Sequence, residues 1–503
     1  MTSTKVRYSE TSSLKGSWDT VVLPLSSKWE KDPTFKEVSK LVGKGLTKVL
    51  KDHQFSGKSG QQVTFPAPEK FGADYLIAIG VGDSEISNRG AADFAARAVR
   101  AATKLQSKSP AFLLPQINAK AAPEMVQNIA MGSILGGYQF DRYKKQNKKR
   151  SVPTKIELLS TKQHKISAAI KKQLKTRVDR GVAIAEAASL ARDFVNEPAV
   201  AMTPTRMSQE AKKIAKGSAS LTVKVLSEKE CQQLKMGMFL AVGRGSDEPS
   251  KLVHMVYKPK GKPKKKVALV GKGVTFDSGG YSLKPSASML DMKVDMAGSA
   301  AVVSAMHAIA KTGCKHEVHA ITALCENLVN GRAYKLGDVI TAMDGTTVEI
   351  NNTDAEGRLT LGDALTYVQT KVKPDEIFDF ATLTGACMVA LGPTTAALMT
   401  NKSSLGQAFL NASKSVGEKM WELPLIPELR RQLDSPIADM KNTGERWGGA
   451  ITAGLFLKNF IKKTPWVHVD IAGPASANKT QGVIANGGTG FAVATIVEYL
   501  TRD

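Results

Sequence analysis

Short apolar runs alternate with helical spacings along the first part of the chain. Residues 20–25 (TVVLPL) and 75–82 (YLIAIGVG) read as buried strands, the second closing on a glycine turn. Residues 91–105 are rich in alanine, with Arg97 and Arg100 toward the polar side, and predict a helix between strands. Residues 155–159 predict another short strand. From Val178 through Leu190 apolar residues keep a helix-like spacing until Asn196-Glu197-Pro198 interrupts it, which predicts a helix tens of residues long. Beyond it, residues 220–226, 252–257, 267–270 and 318–324 predict strands, several of them separated by helical patterns. The pattern is α/β throughout, and 503 residues exceed the ~250–300 that one core supports. We expect two α/β domains joined by a long helix: residues 1–160, a linker over 161–196, and a larger domain with a mixed sheet over 197–503.

Composition excludes several classes. Apolar residues at 42% and charged residues at 23% are ordinary for a globular protein, so general disorder, collagen and coiled coil are out. Four cysteines with no C-x-x-C pair suit buried thiols in a reducing compartment. The N-terminus has no apolar signal region, so a cytoplasmic location is expected. The longest uncharged stretch, residues 380–401, contains Thr382, Thr384, Gly385, Gly392 and Pro393, which favours buried strand and loop over a membrane span. Charge is the anomaly. Lys and Arg number 70 against 46 Asp and Glu, a net +24. Residues 1–300 hold 51 basic and 26 acidic side chains, whereas residues 301–503 hold 19 and 20. That asymmetry invites a polyanion partner.

The densest chemistry lies between residues 270 and 359. A predicted strand runs into GKGVTFDSGG (271–280), delivering Lys272 and Asp277 beside glycines that let backbone approach a ligand. Lys284 follows. Asp295 precedes a small-residue helix start and reads equally well as an N-cap. In NTDAEGRL (352–359), an extended backbone would put Asp354, Glu356 and Arg358 on one face. Apolar flanks on both sides argue for burial, and buried carboxylates need counter-charges, of which metal ions are the strongest. Asp277, Asp295, Asp354 and Glu356 supply four negative charges, matching two divalent cations. An oxygen-rich donor set leaves Zn, Mn and Mg open. HEVH (316–319) resembles the start of a zincin, but its second histidine comes one residue early and lies in a strand pattern.

The segment NTDAEGRL resembles the signature of the leucyl aminopeptidase (cytosol aminopeptidase) family of dinuclear metallopeptidases. Residues 271–280, Lys284-Pro285, Asp295-Met296, WGGAITA (447–453) and HVDIAGPA (468–475) match that family in order and spacing. The resemblance covers the chain from about Asp193 onward. It implies a hydrolase that releases N-terminal residues, preferably leucine and other apolar ones, with a role in intracellular peptide turnover. It implies Lys272, Asp277, Asp295, Asp354 and Glu356 as ligands of two ions (Mn or Zn), with Asp277 and Glu356 bridging both. A lysine ligand must be neutral, which costs ~4–5 kcal/mol at pH 7 from its ordinary pKa. Water activated by the ions would attack the peptide carbonyl. Lys284 would polarise that carbonyl, and Arg358 would hold a bicarbonate acting as general base. Met292, Thr382, Leu383 and Gly385 would line the pocket for the first side chain. The family further implies a homohexamer, a dimer of trimers. Val294 and Ala297 depart from the residues that many members carry, and neither is an implied ligand.

Two alternatives remain at this stage. One is a DNA-binding role in recombination or transcription through the basic first part, with residues 144–150 and 258–266 as candidate surfaces; for the second stretch a solvated hairpin tip is the preferred reading. The other is a two-metal nuclease, which the lysine ligand disfavours.

Overall fold

The computed structural model describes residues 4–502 apart from 13, 15, 17, 44, 83–85, 117, 118, 146–150 and 165. Two compact units emerge. The first holds residues 1–186 with 415–417 and 479–485, and the second holds the remainder. The helix Ala168–Asn196 crosses the division, which falls inside it. The expected α/β class and the two domains joined by a long helix are observed.

The first unit is built on a six-stranded sheet in the spatial order Lys5–Glu10, Lys155–Ser160, Ala111–Leu113, Thr20–Ser26, Tyr75–Gly82 and Gln62–Pro66. All neighbours are parallel except the last pair. Thr20–Ser26 is buried almost throughout because helices cover both faces of a parallel sheet, as its unbroken apolar sequence requires. Val22, Ile77 and Phe112 pack toward Ala91, Phe94 and Val99 of the helix Asn88–Lys104 on one side. Val21, Leu23 and Leu76 face Trp29, Phe35 and Leu50 on the other.

The second unit carries an eight-stranded mixed sheet. Its order is Met420–Glu422, Ala396–Thr400, Trp466–Asp470, Glu376–Ala381, Lys266–Asp277, Glu317–Asn327, Lys251–Tyr257 and Leu221–Leu226. The four central strands, from Trp466–Asp470 through Glu317–Asn327, run parallel. Antiparallel strands flank them on both sides. Such a sheet gathers side chains at the carboxyl ends of its parallel strands, where ligands bind in open α/β folds.

Three local expectations change. Residues 258–265 are not the tip of a hairpin, because Lys251–Tyr257 and Lys266–Asp277 are separated by Glu317–Asn327, to which both are paired. The stretch 380–401 contains the helix Gly385–Leu391 between two strands, so it is more than strand and loop. Residues 354–358 are not extended: Glu356 caps the helix Gly357–Tyr367, and Arg358 lies in its first turn. Period-two logic therefore does not apply to Arg358.

Close packing positions the sheet against the helix Ala297–Thr312. A Cβ at Gly298 would collide with the Phe380 carbonyl and lie 2.9 Å from the Lys272 backbone nitrogen. Replacing Gly298 by alanine is expected to lower stability by about 1–3 kcal/mol through overpacking. A thermal melt of the variant checks this, and an unchanged midpoint would contradict the close approach.

Candidate functional site

Lys272 and Asp277 sit five positions apart on one strand, a spacing that normally sends side chains to opposite faces. The pairing with Glu317–Asn327 resolves this. Cys325 opposes Val274 but Glu326 opposes Phe276, so Thr275 is an extra, bulged residue. The bulge restores parity and returns Asp277 to the face of Lys272. It also sets Asn327 opposite Asp277, where the Asn327 Nδ2 donates to Asp277 Oδ1 at 2.8 Å. Gly279 donates its backbone N–H to the same oxygen at 2.8 Å. The turn that follows needs positive φ at Gly279 (86°) and Gly280 (62°), where side chains are disfavoured.

Three further segments converge on this strand end. Asp295 lies on the tight turn Met292–Met296 and accepts from the Thr382 hydroxyl at 2.8 Å. Lys272 Nζ stands 2.7 Å from Asp295 Oδ1, 2.7 Å from Glu356 Oε1 and 3.0 Å from the Thr382 carbonyl. Gly357 makes room, since a Cβ there would lie 2.5 Å from Lys272 Cε. Lys284 Nζ is 2.9 Å from Asp277 Oδ2 and also pairs with Asp354. Each lysine is thus bracketed between two carboxylates.

Electrostatics follow from burial. Lys272, Asp277, Asp295 and Glu356 are nearly sealed from solvent, while the Asp354 side chain is 33% exposed. Burial would lower the Lys272 pKa, but Asp295, Glu356 and Asp277 outweigh it and hold the ammonium protonated. Lys284 is held protonated by Asp277, Asp354 and Glu356 in the same way. Burial pushes Asp295 well above the ordinary carboxylate range, against the pull of Lys272, and raises Asp277 and Asp354 as well. Asp295 Oδ2 and Glu356 Oε2 are buried with no hydrogen-bond partner among the described residues. Orphaned carboxylate oxygens beside a net-negative cluster suit cations. Among the described residues, one group of three His, Cys, Asp or Glu side chains is spaced to hold a metal ion: Asp277, Asp354 and Glu356, with atoms within 4.8 Å of one another.

The remaining sequence-predicted residues lie around this cluster. Arg358 is buried, donates from Nη1 to the Asn442 carbonyl at 2.8 Å and leaves Nε without a partner; burial lowers its pKa to about 10. Met292 opens the tight turn Met292–Met296 that carries Asp295. Thr382 supports Asp295 and Lys272, Leu383 is half-buried against the core, and Gly385 opens a helix with free space where a Cβ would stand. His316 and His319 are not at the site. His319 bridges Glu317 and His254, and His254 also meets Tyr367.

Sequence reasoning missed several supports. Asn327 orients Asp277, but only the strand pairing reveals it. The Thr353 hydroxyl donates to the Gly279 carbonyl at 2.7 Å and ties the two loops together. Asn442 receives the backbone N–H groups of Asn351 and Asn352. Asp470, inside the HVDIAGPA segment, accepts from Leu383 N–H and the Thr384 hydroxyl. The basic stretch 258–266 is largely exposed, as are Lys144 and Lys145; residues 146–150 lie outside the described residues. No described helix is long and apolar enough to cross a membrane.

Comparison with known proteins shows the family. Residues 189–497 match the catalytic domain of the cytosol aminopeptidase family, and residues 22–147 match that family's N-terminal domain. A probable cytosol aminopeptidase of Picosynechococcus is 41% identical over 456 residues, 90% of each chain. One from Aquifex aeolicus is 39% identical over 468 residues, 92% of each chain. Among solved structures, a tomato leucine aminopeptidase mutant superposes with a TM-score of 0.89 at 33% identity, covering 100% of this chain and 97% of its own. The bottromycin maturation enzyme BotP in complex with Mn gives 0.83 at 35% identity, covering 96% and 98%. The nucleic-acid alternative gains no support from these relatives. The chain belongs to the cytosol aminopeptidase family and is a metal-dependent aminopeptidase, a hydrolase that acts on peptides.

Proposed function

We propose that this enzyme removes N-terminal residues, leucine and similar apolar ones first, from peptides in the cytoplasm, and that it holds two divalent ions. The observation that carries the reading is the pair of bracketed lysines beside orphaned carboxylate oxygens. Four carboxylates face two ammonium groups, which leaves two negative charges unanswered in a buried place. Lys272, Asp277, Asp295 and Glu356 would hold one ion, and Asp277, Asp354 and Glu356 the other. The donor set suits manganese or zinc, and manganese is named with the BotP structure. When bound, the ions supply Lewis acidity and an activated water. Lys272 could join the donor set only as the neutral amine, which burial favours once the pull of Asp295, Glu356 and Asp277 on its proton is offset.

The chain's own groups do the rest. Lys284 remains an ammonium, anchored by Asp277 and Asp354, and is placed to donate to the substrate carbonyl oxygen as charge builds there. Arg358 keeps a buried, unpartnered Nε, a donor suited to a small planar anion such as bicarbonate, which would accept the water's proton. Met292, Thr382, Leu383 and Gly385 border the pocket for the first side chain. The assembly is taken as a homohexamer, a dimer of trimers.

Asp354→Ala should lower leucine-amide hydrolysis by roughly three orders of magnitude, ~4 kcal/mol of transition-state stabilisation. It should also lose bound metal by elemental analysis. Full activity in that variant would sink the two-ion reading. Lys284→Ala should cut kcat by about 10²–10³ with little change in KM, and a steady-state comparison that moves KM alone would remove Lys284 from the carbonyl. Light scattering of the active enzyme should return six copies; a fully active monomer would contradict the assembly.

A further inference from the structure

Beneath the site lies a buried charged network that the reaction as described does not use. Asp379 and His468 occupy neighbouring positions on paired central strands and are both fully buried. His468 Nδ1 donates to Asp379 Oδ1 at 2.6 Å, and Trp466 Nε1 donates to Asp379 Oδ2 at 2.7 Å. Both Asp379 oxygens are therefore satisfied, and His468 Nε2 is left buried without a partner. Asp470 follows two residues along the same strand, so its side chain emerges on the His468 face. Its carboxylate accepts from Leu383 N–H at 3.1 Å, the Thr384 hydroxyl at 2.7 Å and Ala472 N–H at 3.1 Å. The segment it holds begins at Thr382, whose hydroxyl meets Asp295 and whose carbonyl meets Lys272.

We infer that Asp470, two residues beyond His468 on the same strand face, is a positioning residue that fixes the 382–384 segment and thereby the Lys272–Asp295 half of the metal site. The inference rests on the reading of Lys272 and Asp295 as ligands. An ionised Asp470 is required, because a carboxylate accepts at both oxygens while an amide accepts at one. Burial raises the Asp470 pKa, and the charge of a protonated His468 pulls it back. Burial would lower the His468 pKa, yet Asp379 and Asp470 raise it, against an opposing push from Arg358. Partners of this kind commonly alter metal affinity by 10–100-fold. They act on one half of the site only: Asp277 and Asp354 are oriented by Asn327, Gly279 and Lys284, not by Asp470.

The test is manganese binding to full-length Asp470→Asn, measured by titration with elemental analysis beside leucine-amide kinetics. One ion is expected to remain at wild-type affinity and the other to weaken about tenfold or more. The kcat should fall at limiting manganese and recover when manganese is raised, which loss of folded enzyme would not reproduce. Two ions at unchanged affinity with unchanged kcat would overturn the inference. Thr384→Val, at a half-buried position, removes one hydroxyl donated to Asp470 and should shift the same affinity by a smaller factor. If Asp470→Asn does not fold, this variant decides, and wild-type binding in it overturns the inference. Asp354→Ala run in parallel separates the two readings. If it loses an ion while Asp470→Asn and Thr384→Val lose none, the positioning role alone fails; if none of the three alters metal binding, the two-ion reading fails with it.

Discussion

Four carboxylates, Asp277, Asp295, Asp354 and Glu356, converge where the central strands end, answered among the described residues by the ammonium groups of Lys272 and Lys284. Concentrating that much like charge in a protein interior is costly unless cations share the space. Most of the local architecture serves to hold the carboxylates together despite their repulsion. The Thr275 bulge turns Asp277 inward, and Asn327 and Gly279 N–H fix one of its oxygens. Thr382 fixes Asp295, and the absence of a side chain at Gly357 admits the lysine stem. Each device is a short-range contact. Their joint effect is a preformed cage in which Asp295 Oδ2 and Glu356 Oε2 have no hydrogen-bond partner among the described residues.

The lysines give this cage two modes. As ammonium ions they bridge the carboxylates and keep the cluster from flying apart. In the proposed two-ion reading, divalent ions would offset the carboxylates that protonate Lys272, and the same nitrogen would turn from counter-ion to ligand. Lys284 has the less buried position, and in the proposed mechanism it keeps its charge for the substrate. In that reading the two lysines divide into different roles by depth, not residue type.

The α/β class, the long helix and most strands were legible as apolar runs and helical spacings, since burial dictates both patterns. The carboxylate cluster was legible as motif segments. Strand pairing was not: nothing in the residues 266–277 announces the bulge, so the shared face of Lys272 and Asp277 emerged only from the register with residues 317–327. The extended reading of residues 354–358 failed because Glu356 begins a helix whose first turn carries Arg358. Supports such as Asn327, Asn442 and Asp470 escaped notice because a lone polar residue in a strand end has no spacing signature. The basic excess of residues 1–300 did not locate the site; it marks surface such as residues 258–265, which links two strands that are not neighbours.

The central claim is that the bracketed lysines mark two ion positions. Anomalous diffraction at the manganese and zinc edges, from crystals of the active enzyme, measures this directly. Two peaks about 3.5–4 Å apart are expected, one against Lys272, Asp277, Asp295 and Glu356 and the other against Asp277, Asp354 and Glu356. A fully active enzyme with one peak or none, and with both lysines still bridging their carboxylates, would contradict it.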